Sequence, residues 1–186
     1  MSEAITALQG AQTHGAVTLT EIGPQGMITL RGELPALGDV LRQVGLTLPG
    51  KRQIVHAKDR SVAWMSPDEL LILLPYAQVP EALQTLETTL SGTHFLAANV
   101  SDARAMFTLS GTAEAVRETL AKLAPADLSP GTFEPGEISR TRIAQVPAAL
   151  WLTQDGEGRV VCFRSVAQYA FDVLSAASEG GRVGYF

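Results

Sequence analysis

The side chains best suited to grip a polar ligand sit at strand junctions in the second half of the chain. Ser101-Asp102 is followed two residues on by Arg104, so a hydroxyl, a carboxylate and a guanidinium share one short turn and could orient such a ligand. Arg140-Thr141 and Arg164-Ser165 each place a guanidinium beside a hydroxyl at a strand edge. A guanidinium fork clamps a carboxylate through two parallel hydrogen bonds, whether that carboxylate belongs to a small ligand or to a partner protein. Each set also has a plainer reading: an Asp–Arg pair that secures a turn, or a surface ion pair. Trp64 and Trp151 end apolar strands, where core or interface packing accounts for an indole. Tyr185-Phe186 could anchor a partner, or could simply be exposed.

The patterns that mark a catalytic centre are missing. His14, His56 and His94 have no second His or Cys at ligand spacing, and no HExxH occurs. His56 falls in a strand, where a partly buried structural histidine is the simpler reading. Cys162 is the single cysteine, which removes disulfides and CxxC zinc or redox motifs within one chain. Gly156-Glu157-Gly158 precedes a strand rather than a helix and so is a hairpin turn. Gly50-Lys51 runs into Arg52 where a phosphate-binding loop needs Ser or Thr, and no G-x-S-x-G elbow exists. Asp68-Glu69 read as solvated turn carboxylates. The expectation is therefore a chain with no catalytic residue, no metal site and no cofactor site of its own.

The elements that would position these residues are written twice. Met27-Ile-Thr-Leu-Arg-Gly32 returns as Met106-Phe-Thr-Leu-Ser-Gly111. Leu34, Leu37, Leu41 and Val44 follow the first copy, and Ala113, Val116, Leu120 and Leu123 follow the second, each drawing one apolar stripe on a helix. Leu71–Leu86 and Val160–Leu174 both read as a strand and then a helix. Pro35 fits a first helical turn, Gly45 a helix stop, and Ser165 with Gln168 a capping box for the last helix. The Asp127–Gly136 stretch, with Pro125 just before it, reads as loop and as the seam of the molecule. The fold expected is α+β: duplicated strand–helix–strand units with mixed or antiparallel sheets and helices packed on one side. Residues 1–25 read as an N-terminal arm and 26–177 as one duplicated domain with halves near 26–100 and 101–177. Residues 178–186 read as a tail.

Bulk properties agree. The 186 residues carry 14 Lys and Arg against 19 Asp and Glu, a net charge of −5, which argues against nucleic acid as the main partner. A chain this long buries roughly 70% of its unfolded surface and needs no staples. No run approaches the ~18 apolar residues of a membrane span, and the first residues lack the basic and apolar regions of a signal peptide. A cytoplasmic protein without membrane contact is expected.

Several segments taken together resemble a known family. These are Trp64-Met-Ser-Pro-Asp-Glu-Leu-Leu-Ile-Leu-Leu-Pro75, Val100-Ser-Asp-Ala-Arg104, Pro125-Ala-Asp-Leu128, Pro135-Gly-Glu-Ile-Ser-Arg-Thr141 and Phe163-Arg-Ser-Val-Ala-Gln-Tyr169. Their order and content, from about Gly26 to Ala177, are similar to the gamma subunit of bacterial heterotetrameric sarcosine oxidase. Val166 stands where that family has Phe. The resemblance implies a non-catalytic subunit that stabilises the alpha subunit, with beta and delta completing the complex. That complex oxidatively demethylates sarcosine to glycine, hydrogen peroxide, and formaldehyde or methylenetetrahydrofolate. FAD, FMN, NAD and tetrahydrofolate are then carried by partner subunits, and zinc by delta. The implied fold is similar to the folate-binding region of aminomethyltransferases, which raises a free-standing tetrahydrofolate-binding protein as the alternative. Trp64, Asp102, Arg104, Arg140, Thr141, Arg164, Ser165, Tyr185 and Phe186 are the candidate partner or vestigial ligand contacts. The chain expressed alone is expected to self-associate.

Overall fold

The computed structural model describes residues 4–184. It opens with two strands, β1 (Gln12–His14) and β2 (Val17–Ile22). The first repeat follows as β3 (Gln25–Arg31), α1 (Leu34–Gln43), β4 (Ile54–Ala57), β5 (Arg60–Ser66) and β6 (Glu69–Pro75). A 3-10 turn over Tyr76–Gln78 then leads into α2 (Val79–Thr89) and β7 (Leu96–Asn99). The second repeat retraces that order: β8 (Arg104–Gly111), α3 (Ala113–Ala121), β9 (Ile138–Ile143), β10 (Val146–Gln154) and β11 (Glu157–Phe163). A 3-10 turn over Arg164–Val166 leads into α4 (Ala167–Glu179). Two compact units result: Pro24–Asp102, and the flanking residues up to Gly23 together with those from Ala103 onward.

In the central unit the sheet order is β4-β5-β6-β3-β7, every neighbour antiparallel. Alternation along β3 sends Ile28 and Leu30 to one face, opposite Ile72 and Leu70 of β6. There they meet Leu37 and Leu41 from α1, Val44 just past its end, and Val79 and Leu86 from α2. Helix α1 starts with Pro35 in its first turn and stops at Gly45, whose φ of +75° lets the amide of Leu46 reach back to the carbonyl of Leu41 (2.9 Å). Both ends match the sequence expectation.

The flanking unit has the order β1-β2-β8-β11-β10-β9, again antiparallel throughout. Phe107 and Leu109 of β8 stand at the repeat positions of Ile28 and Leu30. They join Val17, Leu19, Leu150, Val160, Val116, Leu120, Ala170 and Leu174 in one buried cluster. Phe107 and Phe171 contribute a tilted ring pair with centroids 6.2 Å apart. Thr112 caps α3 by accepting the amide of Ala115 at 3.2 Å. In the β10–β11 turn, Gly156 has φ +78°, and a Cβ there would lie 2.4 Å from the carbonyl oxygen of Gly111.

Three features depart from the sequence reading. The segment before residue 25 is not a loose arm, because Val17 and Leu19 are buried and β2 lies against β8 along six residue pairs. Its approach is fixed by Glu21, 3% exposed, whose carboxylate accepts the amides of Leu8 (2.9 Å) and Gly10 (3.0 Å). The Asp127–Gly136 stretch is no seam but a loop tied into the flanking unit by Arg117. That guanidinium, 3% exposed, donates to the carbonyls of Leu128 (2.7 Å) and Phe133 (2.6 Å). Ser165 does not cap α4, which starts at Ala167 without a side-chain cap; Gln168 instead donates to Asp172 at 2.8 Å.

Arg117→Met keeps the aliphatic stem and strands both carbonyls, each bond to a charged donor being worth about 1.5–3 kcal/mol. A loss of about 2–4 kcal/mol in urea unfolding is expected, and a loss under about 0.5 kcal/mol would show that the loop holds without it.

Candidate functional site

The described candidate residues are divided between the two units. In the central unit, Asp102 is exposed and accepts the phenol of Tyr76 at 3.0 and 3.1 Å. That bond raises the Tyr76 pKa, its hydrogen bond to Asp102 being the main cause. Ser101, 7% exposed, serves the backbone: its hydroxyl accepts the amide of Met27 (2.9 Å) and donates to Asn99 Oδ1 (2.6 Å). Trp64 is half-buried on β5 and packs against the helix-facing core.

In the flanking unit, Arg104 lies over the half-exposed ring of Phe163, 4.0 Å from its centroid. Arg164 does clamp two oxygens, but they are the carbonyls of Ile5 (2.9 Å) and Thr6 (3.2 Å). Its fork therefore holds the chain's own first residues. Ser165 is exposed in the turn that precedes α4. Arg140 is exposed and Thr141 half-exposed on β9, the outermost strand beyond β10. Tyr185 and Phe186 lie outside the described residues.

His56 is exposed rather than partly buried, with Nδ1 2.7 Å from the hydroxyl of Ser61 across the β4–β5 hairpin. His14 is likewise exposed, its Nδ1 3.2 Å from the Thr18 hydroxyl. Among the described residues no three His, Cys, Asp or Glu side chains come together as metal ligands would. Cys162 is buried, and burial pushes its thiol up to about 11.

Sequence reasoning missed two polar arrangements. Glu69 is not a solvated turn residue: it is 7% exposed and pairs across the strands with Arg31 at 2.9 Å. The register that sets Arg31 opposite Glu69 is the visible cause. Beside the pair opens a groove of about 720 Å³ in the central unit, with Leu37, Leu90, Phe95 and Leu96 among its apolar walls and Glu33 and Asp68 among its polar ones. The second arrangement centres on Glu118, 3% exposed on α3. It accepts the amide of Gly184 at 2.7 Å and that of Val183, and pairs with Arg182 at 3.5 Å. Lys122 donates to the carbonyls of Ala177 and Gly180 (2.9 Å each) and Gly181 (3.0 Å), so the segment after α4 is tied to α3 at several points. The amide of Gly184 is the leading cause of a lowered Glu118 pKa, with burial opposing it.

Comparison with known proteins gives the chain a family. Residues 32–180 match the family model described as sarcosine oxidase, gamma subunit family. The chain belongs to that family. The sarcosine oxidase subunit gamma of Corynebacterium sp. (strain U-96) is 29% identical over 180 residues, covering 93% of this chain and 86% of the relative. That of Corynebacterium sp. (strain P-1) is 30% identical over 152 residues, covering 79% and 72%. Among solved structures, a chain of the heterotetrameric sarcosine oxidase from Corynebacterium sp. U-96, in complex with pyrrole 2-carboxylate, matches with a TM-score of 0.78. Identity there is 25%, over 93% of this chain and 91% of that one. The glycine cleavage system aminomethyltransferase T from Bartonella henselae shares the fold, with a TM-score of 0.59 at 13% identity. This chain spans 44% of it. Among the described residues no helix is long and apolar enough to cross a membrane.

Two outcomes check the electrostatics of this gamma-family chain. A lowered Glu118 pKa means the folded state favours the carboxylate. Its contribution is present above the unfolded value near ~4.3 and disappears as pH falls through the folded one. The amide resonance of Gly184 is expected to move in acid below that range and to stay fixed in Glu118→Gln; identical titrations in both proteins would sink the assignment. For Cys162 the sign reverses. A raised thiol pKa gives stability that is full below the unfolded value near ~8.5 and is lost as pH rises toward about 11. A thiol reagent at pH 8 is expected to leave the native chain unmodified and to label it once in denaturant, whereas rapid native labelling would contradict the burial argument.

Proposed function

We propose that this chain is the non-catalytic gamma subunit of a heterotetrameric sarcosine oxidase that oxidatively demethylates sarcosine to glycine. The observation that carries this is the likeness to a chain of a solved heterotetrameric sarcosine oxidase, at a TM-score of 0.78 over 93% of this chain. The chain packs on the alpha subunit and stabilises it, with beta and delta completing the assembly. FAD, FMN, NAD and tetrahydrofolate reside in the partner subunits, zinc in delta, and the complex works in the cytoplasm.

Surface chemistry supports a binding role. Exposed Ile5, Phe163, Tyr169 and Leu96 supply apolar and aromatic anchors, and the Arg104–Phe163 stack has the Arg and aromatic character enriched at interface hot spots. An obligate interface of this kind buries over ~2,000 Å². Expressed alone, the chain keeps those side chains exposed and self-associates. A free-standing tetrahydrofolate-binding protein fits less well, since the aminomethyltransferase likeness covers less than half of that enzyme.

The deciding experiment is a pull-down of the tagged chain from its native host grown on sarcosine. Flavin absorbance and large subunits co-eluting in fixed ratio are expected. A colourless eluate holding the tagged chain by itself would overturn the proposal.

A further inference from the structure

In the central unit β7 is the outermost strand next to β3, and among the described residues no strand pairs with its outer edge. The amide of Val100 donates to the carbonyl of Met27 at 2.9 Å, which sets those two residues opposite each other in hydrogen-bonding position. Antiparallel pairs alternate between bonded and non-bonded positions. Counting along the register, Thr29–Ala98 is bonded again, while Ala97 and Asn99 turn their N–H and C=O groups away from β3. That outward edge reads Leu96-Ala97-Ala98-Asn99. It has no Lys, no Pro and no bulge, the devices by which proteins blunt a free edge. Leu96 is 51% exposed and forms one wall of the groove of about 720 Å³ beside it.

The internal duplication shows what such an edge accepts. The order β4-β5-β6-β3-β7 corresponds, repeat for repeat, to β9-β10-β11-β8-β2. Strand β7 therefore matches β2, and the outer edge of β2 carries β1, antiparallel, with Gln12 opposite Thr20 and His14 opposite Thr18. The flanking unit fills this place with its own chain; the central unit has no strand of its own there.

We propose that β7 receives an extended segment of a partner subunit as an added antiparallel strand, an apolar side chain of that segment seating in the groove beside Leu96. Main-chain bonds to Ala97 and Asn99 supply affinity and the groove supplies selectivity, as in other strand additions. The groove wall also carries His94 and Arg31, the latter held by Glu69; its carboxylates Glu33 and Asp68 favour a segment with a Lys or Arg next to its apolar residue. This inference rests on the subunit reading above.

The test uses the assembled complex and the isolated full-length chain. Hydrogen exchange at the amides of Ala97 and Asn99 is expected to slow by about tenfold or more on assembly. Ala97→Pro deletes an outward N–H without touching the bonds to β3, and Leu96→Lys charges the groove wall. Each is expected to lower recovery of the flavin-bearing subunits at least several-fold while the variant chain keeps its circular dichroism spectrum. If the wild-type chain assembles but its Ala97 and Asn99 amides exchange as fast as in the isolated chain, the strand-addition proposal fails and the subunit reading stands. If those amides are already slow in an isolated chain of dimeric mass, the occupant is a second copy and the proposal is overturned. If the wild-type chain does not assemble at all, the subunit reading itself falls.

Discussion

The pairing of β2 with β8 is the constraint on which the flanking unit depends. A central strand with an apolar stripe on its helix-facing side needs neighbours on both edges, because an unpaired edge leaves backbone groups without partners. In the first repeat β3 lies between β6 and β7, and β7 follows α2 directly in the chain. In the second repeat β8 has β11 on one side, but no strand follows α4 among the described residues. The place is filled from the start of the chain by β2, along six residue pairs, with Val17 and Leu19 entering the same core as Phe107 and Leu109.

That arrangement explains why so many side chains far from any reactive group serve the chain's own backbone. Ser178 on α4 lies within 3.2 Å of both the amide and the carbonyl of Val17, and its carbonyl accepts the amide of Ala16 at 3.0 Å. Gly15 leaves room for this contact, since a Cβ there would stand 2.4 Å from the Ser178 hydroxyl. Glu21 and Arg164 secure the residues before β1, and Lys122 and Glu118 secure those after α4. Arg164 is instructive. Its type and place suit a carboxylate clamp, and a clamp is what it makes, on carbonyls from its own sequence rather than on a ligand.

Much of the architecture was legible because periodicity reports burial locally. The Met27 and Met106 strands, the two helical stripes, and the strand–turn–helix echo at Leu71–Leu86 and Val160–Leu174 all appear where the spacing puts them. What stayed hidden depends on partners distant in sequence. The role of β2 is set by β8, some ninety residues further on, and nothing in Val-Thr-Leu-Thr-Glu-Ile names that neighbour. Arg117 looked like any helical arginine, because the carbonyls it binds belong to a loop with no pattern. Asp102 finds Tyr76 across the unit rather than a residue beside it in sequence. The candidate site was legible only as residue types; which of them bind the chain itself is a matter of geometry.

The same strand exchange sets an order of events during synthesis. The central unit, Pro24–Asp102, is contiguous and leaves the ribosome with all five strands of its own sheet present. Strand β2 emerges earlier still with β1 on one edge, yet its other edge and its apolar face have no partner until β8 is made. At typical elongation of about 5–20 residues per second that interval is on the order of 4–18 s. The core closes later again, when α4 brings Ala170 and Leu174 to it. Strand β2 is thus among the last to be satisfied, and the nascent protein must carry one of its edges open past a finished unit.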